Sequence, residues 1–357
     1  MRRRDFLAAC GVGAATMFAG QMVQAAAENQ AAKLAKKLPR WRGFNLLEKF
    51  NVGNNRPFVE DDFKWMADWG FDFVRLPMDY RCWTEPADPY KYREKVLAEI
   101  DQAVQFGQKY KIHVSLNLHR APGYTVAQPP EKLNLWTDEE AQRQFDAQWA
   151  NFARRYKGIP ASQVSFDLVN EPGHVKAPDY AKVAKRAAEA IRKVDPERLI
   201  ISDGLDYGRT PIFELVDAGM AQSTRGYEPF RLTHYGASWV GGEKWAKPES
   251  WPLREGNQLR DRDWLYKDRI VPWKKLEAAG VGVHVGEWGA YNRTPHNVVL
   301  GWMKDMLELW KEAGWGWALW NFRGCFGILD SGRSDVKYVK FHGHKLDQQM
   351  LDLLRKY

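Results

Sequence analysis

SFDLVNEPGH, residues Ser165–His174, changes character halfway along. Phe166, Leu168 and Val169 read as a buried strand, and the run then breaks into Asn170-Glu171-Pro172. A carboxylate at the end of a buried strand either hangs in solvent or is held there for chemistry. The surrounding sequence repeats the theme. Short apolar runs closed by Gly, Pro or polar residues alternate with longer stretches of helical spacing.

Strands are expected near Arg42–Leu46, Phe71–Leu76, His113–Leu118, Val164–Val169, Leu199–Ser202, Arg231–Tyr235, Val283–Gly286 and Trp317–Trp320. Helical spacing fills the intervals near Val59–Trp69, Lys91–Tyr110, Asp138–Tyr156, Asp179–Val194, Thr210–Asp217, Trp264–Ala279, His296–Ala313 and Lys345–Lys356. Thr137, with Glu140 three residues on, fits a capping box, and Gly70 and Gly280 sit where helices should stop. Eight strands alternating strictly with eight helices predict an α/β fold, a single (β/α)8 TIM barrel. An open doubly wound sheet also alternates, but no strand is followed by G-x-G-x-x-G.

The first residues read differently. Arg2, Arg3 and Arg4 precede a mildly apolar stretch, Phe6 to Gly20, and then Ala25-Ala26-Ala27. This is the layout of an export signal, with a twin-arginine-like Arg3-Arg4-Asp5-Phe6-Leu7. Residues 1–27 are therefore expected to be a cleaved signal, 28–39 a short linker and 40–357 one catalytic barrel, in a protein exported to the periplasm or beyond. Part of the +8 net charge lies in that signal, and elsewhere basic and acidic residues are interspersed. A nucleic-acid partner is not expected, nor a membrane after cleavage. With the signal gone only Cys82 and Cys325 remain, too few for a disulfide framework.

In such barrels the chemistry sits at the C-terminal strand ends. The residues there are Arg75, His119, Asn170-Glu171, His234-Tyr235, Glu287 and Trp320. Glutamates on strands four and seven would face each other across the mouth, the arrangement glycosidic cleavage requires. One carboxylic acid protonates the leaving oxygen while a second carboxylate attacks the sugar or activates water. His119 and His234 lack a third ligand at metal-site spacing, so neither a metal nor a cofactor is expected.

The ordered set of Arg75, LHRAPG, VNEP, HY and VGEW resembles glycoside hydrolase family 5, the cellulase and mannanase family of retaining barrel glycosidases, from about Trp41 to the C-terminus. The resemblance implies that Glu171 is the acid/base and Glu287 the nucleophile. It implies that Asn170 binds the sugar 2-hydroxyl, that Arg75 supports the nucleophile, that His119 and His234 line the cleavage subsite, and that Trp320 forms its floor. The family carries H-x-Y after strand six, with the Tyr bonded to the nucleophile. Here His234-Tyr235-Gly236 puts Gly at that place, so Tyr235 or Tyr291 is expected to substitute. Trp83, Trp136 and Trp239, in loops at the mouth, are candidate sugar-stacking platforms.

The expected activity is retaining hydrolysis of a β-linked oligo- or polysaccharide by a monomer. Endo-β-1,4-glucanase leads, with β-mannanase and exo-β-1,3-glucanase as alternatives, and a silent carbohydrate-binding barrel as the non-enzymatic one.

Overall fold

A computed structural model describes residues 30–357; the expected signal, residues 1–27, lies outside the described residues. The parallel strands are β1 (Arg42–Asn45), β2 (Phe73–Asp79), β3 (His113–Ala121), β4 (Val164–Asp167), β5 (Leu199–Asp203), β6 (Ala221–Gly226), β7 (Val283–Trp288) and β8 (Trp317–Leu319). Each pairs with its neighbours in chain order, and β8 pairs with β1, so the sheet closes on itself. The long outer helices are α1 (Glu60–Asp68), α2 (Glu94–Tyr110), α3 (Glu139–Tyr156), α4 (Ala177–Arg192), α5 (Val271–Ala278), α6 (His296–Ala313) and α7 (Gln348–Lys356). The molecule is a (β/α)8 barrel.

Three expected elements differ. Strand six is Ala221–Gly226, and the stretch expected to be that strand, Arg231–Tyr235, is overlapped by a turn of helix, Phe230–Thr233. The segment AQSTRG has no apolar alternation, and it is buried through polar bonds instead. Gln222 donates to the Ile212 carbonyl at 2.7 Å, and its side-chain oxygen accepts from the Ile212 N–H at 3.0 Å. The helix expected at Thr210–Asp217 is a 3-10 segment, Phe213–Ala218. Thr137 does not cap α3: Asp138 holds the N-cap position, and the Thr137 hydroxyl donates to the Asp138 carboxylate.

The barrel interior is layered. At the bottom, Trp41 stacks on His113 at 3.7 Å, and Phe73 packs against His113 and His284. Residues 30–36 form a helix whose Ala31 and Ala35, together with Leu38, join Phe73, Leu199, Ile201, Ala221 and Ala318 in one apolar cluster. This segment plugs the lower opening. Above it lies an ionic layer of Arg75, Asp167, Asp203 and Arg225. Outside the ring, alternate residues face the helices, as Phe166 does against Trp149.

Candidate active site

Arg75 stands on β2, fully buried, and its guanidinium organises the site. Nε donates to Asp167 at 2.6 Å, Nη1 to Glu287 at 2.5 Å and Nη2 to the Asn170 side-chain oxygen at 2.9 Å. Asp167 belongs to the opening stretch, where β4 is Val164–Asp167. Phe166 faces the helices while Ser165 and Asp167 face the lumen.

Glu287 reaches the mouth through an irregularity in β7. The register against β6 shifts between Val285 and Glu287, so Glu287 aligns with Arg225. A β-bulge puts two consecutive residues on one face. Gly286 faces inward too, since a Cβ there would lie 2.4 Å from the Ser223 hydroxyl and 2.9 Å from Arg225. Trp288 then turns outward among Trp302, Trp310 and Trp317. The glycine before the glutamate is what lets the bulge form against a packed guanidinium.

Glu171 sits just beyond β4 with φ +50°, a left-handed backbone that costs a non-glycine residue about 1–3 kcal/mol. Three bonds hold it. Its N–H donates to Asp203 at 2.8 Å, its carbonyl accepts from the Tyr124 hydroxyl at 2.7 Å, and its carboxylate accepts from Arg225 Nε at 2.9 Å. Its side chain keeps 16% exposure, enough to be reached from the mouth. Burial first, and then repulsion from Glu287, push its carboxyl up to about 8.

Sequence reasoning missed Arg225, Asp203, Asp167 and Tyr227. With strand six expected about ten residues too late, at Arg231–Tyr235 instead of Ala221–Gly226, the motif at its true end, Arg225-Gly226-Tyr227, went unread. Tyr227 donates to Glu287 Oε2 at 3.2 Å. It thereby takes the place expected of Tyr235 or Tyr291, and Arg225 stands two residues earlier, where the family pattern has histidine. The x-Tyr spacing after a polar run was the available signal. Among the described residues, Tyr235 bonds to neither glutamate. His234 lies behind Tyr227, stacked on Phe230 at 4.0 Å and edge-on to Tyr227 at 5.1 Å, so it backs the site rather than lining it.

The other expected residues divide. His119 stacks with Trp320 at 5.6 Å and packs tilted against Phe50 at 4.6 Å. Burial, reinforced by Arg75 and Arg225, drives its pKa down, so it is a neutral imidazole. Its buried Nδ1 and the buried Asn170 Nδ2 have no partner among the described residues. Trp83 is not a platform: it is wholly buried, packed on Phe152, with its Nε1–H donating to Gln148 at 2.9 Å. Apolar loop residues at the mouth and core residues beneath it look alike in sequence. Trp136 is half-buried against Tyr124 and Tyr180, beside a cavity of about 590 Å³. Trp239 is 58% exposed and stands edge-on to Tyr291 at 4.9 Å. Among the described residues, Cys82 and Cys325 form no disulfide.

A family model for cellulase, glycosyl hydrolase family 5, matches residues 28–325. Endoglucanase C of Acetivibrio thermocellus is 26% identical over 303 residues, spanning 78% of this chain and 88% of that protein. Cellodextrinase A of Ruminococcus flavefaciens is 25% identical over 264 residues, spanning 71% and 75%. The crystal structure of a glycoside hydrolase superposes with TM-score 0.84 at 41% identity, covering 89% of this chain and 99% of its own. The chain belongs to glycosyl hydrolase family 5, the cellulase family, and is an O-glycosyl hydrolase.

Proposed function

We propose that the protein is an exported, retaining endo-β-1,4-glucanase in which Glu171 is the general acid/base and Glu287 the nucleophile. The observation that carries the reading is the unequal setting of two glutamates around one guanidinium. Glu287 receives Arg75 at 2.5 Å, Arg225 at 3.4 Å and the Tyr227 hydroxyl, so three donors aim its carboxylate into the mouth. Glu171 has Arg225 alone, with burial and the Glu287 charge both favouring its proton.

In the first step a Glu287 oxygen bonds to the anomeric carbon and the bond to the leaving sugar breaks. The leaving oxygen keeps the electron pair and takes the Glu171 proton. In the second step a water oxygen bonds to that carbon, its proton passes to Glu171, and the ester pair returns to Glu287. Asn170 Nδ2 holds the sugar 2-hydroxyl, and His119 and Trp320 form the wall and floor of the cleaved unit. Trp239 offers an exposed ring for a neighbouring unit. The β-1,4-glucan substrate follows the relatives named endoglucanase and cellodextrinase.

The test is product NMR together with a screen of cellulose, glucomannan, mannan and β-1,3-glucan. Retention at the first-formed anomer and release of mixed cello-oligosaccharides are expected. An inverted first product would overturn the nucleophile role, and faster release from mannan or β-1,3-glucan would overturn the substrate.

A further inference from the structure

Arg225 stands two residues before Tyr227, where the resembled H-x-Y pattern has histidine. Its side chain is buried, and all three guanidinium nitrogens are engaged. Nε donates to Glu171 Oε1 at 2.9 Å, Nη2 to the Asn170 oxygen at 2.9 Å, and Nη1 to Asp203 at 3.0 Å and Ser223 at 3.1 Å. Nη2 also bonds the second Asp203 oxygen and lies 3.4 Å from Glu287 Oε1. Asp203 thus clamps the far side of the fork, while the near side spans both glutamates. The site makes room for it, because a Cβ at Gly208, itself at φ +76°, would lie 2.6 Å from the Arg225 stem. Asp203, also buried, is the counter-charge without which a second guanidinium beside Arg75 would repel it.

We propose that Arg225, clamped by Asp203, is a positioning residue that serves both glutamates in turn, holding the counter-charge in place as negative charge passes from Glu287 to Glu171 during turnover. The proposal rests on the double-displacement reading above. When the glycosyl ester forms, Glu287 loses its charge and Glu171 has lost its proton. One cation fixed between them then faces Glu171 alone, with no side-chain movement required. Histidine at this position, buried beside Arg75, would be neutral and would not supply that charge. The titratable and charged groups around Glu171 are Tyr124 from the loop after β3, Asp203 from β5, Arg225 and Tyr227 from β6 and its end, and Glu287 from β7. Arg225 is the cation that touches Glu171. Its charge opposes the burial that pushes Glu171 up, and it favours the ionised base needed in the second step.

The experiment separates the two steps with 2,4-dinitrophenyl β-cellobioside, whose leaving group needs no proton. Stopped-flow bursts read glycosylation, and the steady state reads deglycosylation. R225Q/D203N removes both buried charges together, and R225K retains the cation; where R225Q/D203N does not fold, R225H/D203N carries the same comparison. In the neutral double variant the burst rate should fall by roughly threefold, less than the second step, because Glu287 loses Arg225 but keeps Arg75 and Tyr227. Deglycosylation at pH 6 should fall by roughly tenfold or more, and its half-maximal pH should rise, by less than loss of Arg225 alone would give, because Asp203, which pushes Glu171 up, is removed with it. R225K should keep the wild-type half-maximal pH. Equal loss in both steps, an unchanged deglycosylation profile in the folded double variant, or a neutral-like profile in R225K overturns the proposal. Trapping wild type with 2,4-dinitrophenyl 2-deoxy-2-fluoro-β-cellobioside separates the two failures. An adduct on Glu287 leaves the double-displacement reading standing whatever Arg225 does, and its absence sinks both.

Discussion

Replacing Glu171 with Gln should weaken catalysis and strengthen the fold in the same molecule. Burial, ahead of repulsion from Glu287, pushes the Glu171 carboxyl from 4.5 up to about 8. The unfolded chain carries the same group at its ordinary value, so folding at pH 7 requires it to keep a proton that the solution would remove. The sign follows from linkage. The cost is absent below the unfolded value, grows as pH rises above it, and levels off above the folded value. At about 1.4 kcal/mol per unit, the penalty at pH 7 is at most about 3 kcal/mol. The remaining 16% exposure trims it, leaving roughly 2 kcal/mol. Glutamine removes the titration while its carbonyl still accepts from Arg225 Nε. Urea unfolding followed by tryptophan fluorescence should therefore show E171Q about 2 kcal/mol more stable than wild type at pH 7, with the gap closing near pH 4. Cello-oligosaccharide hydrolysis should meanwhile fall by roughly 10²–10⁴-fold. A variant no more stable than wild type at pH 7, or one whose advantage persists unchanged at pH 4, refutes the reasoning.

Four further outcomes follow from the same geometry. The kcat/KM profile should fall as pH rises through about 8, where Glu171 gives up its proton; a flat profile to pH 10 contradicts the acid role. In E287A, azide should restore turnover and yield the α-glycosyl azide, whereas E171A with azide should yield the β product, as product NMR can tell. Y227F removes one 3.2 Å bond to Glu287 and should lower kcat/KM by roughly tenfold, about 1.4 kcal/mol. W83A should cost about 3–5 kcal/mol of stability as a core truncation, while W239A should leave stability within about 0.5 kcal/mol and raise KM for cellopentaose; the reverse pattern would restore Trp83 as a platform.

The barrel was legible where strands carry apolar residues on their helix-facing side, as with Phe166 and Leu168 around inward Ser165 and Asp167. It was illegible at β6, whose Gln222, Ser223, Thr224 and Arg225 satisfy themselves with polar bonds, so that burial leaves no hydrophobic trace. Losing that one strand hid Arg225 and Tyr227 together and led His234 and Tyr235 to be read as strand-end residues. Glu171 and Glu287 survived because each follows an apolar run, yet nothing in the linear pattern announced the β7 bulge that aims Glu287 inward. Asp203 was hidden for a different reason. It closes a correctly read strand, but its role exists only opposite Arg225. The tryptophans show the same limit: Trp83 and Trp239 occupy similar loop contexts, and only packing separates a wholly buried ring from one that is 58% exposed.

The plug beneath the barrel has a consequence for the order of assembly. Ala31, Ala35 and Leu38 bury against residues drawn from β2, β5, β6 and β8. The surface that receives them exists only once the final strand has joined the first. The earliest described residues to be synthesised are thus among the last to find their partners, and their docking works as a latch that locks only a completed ring.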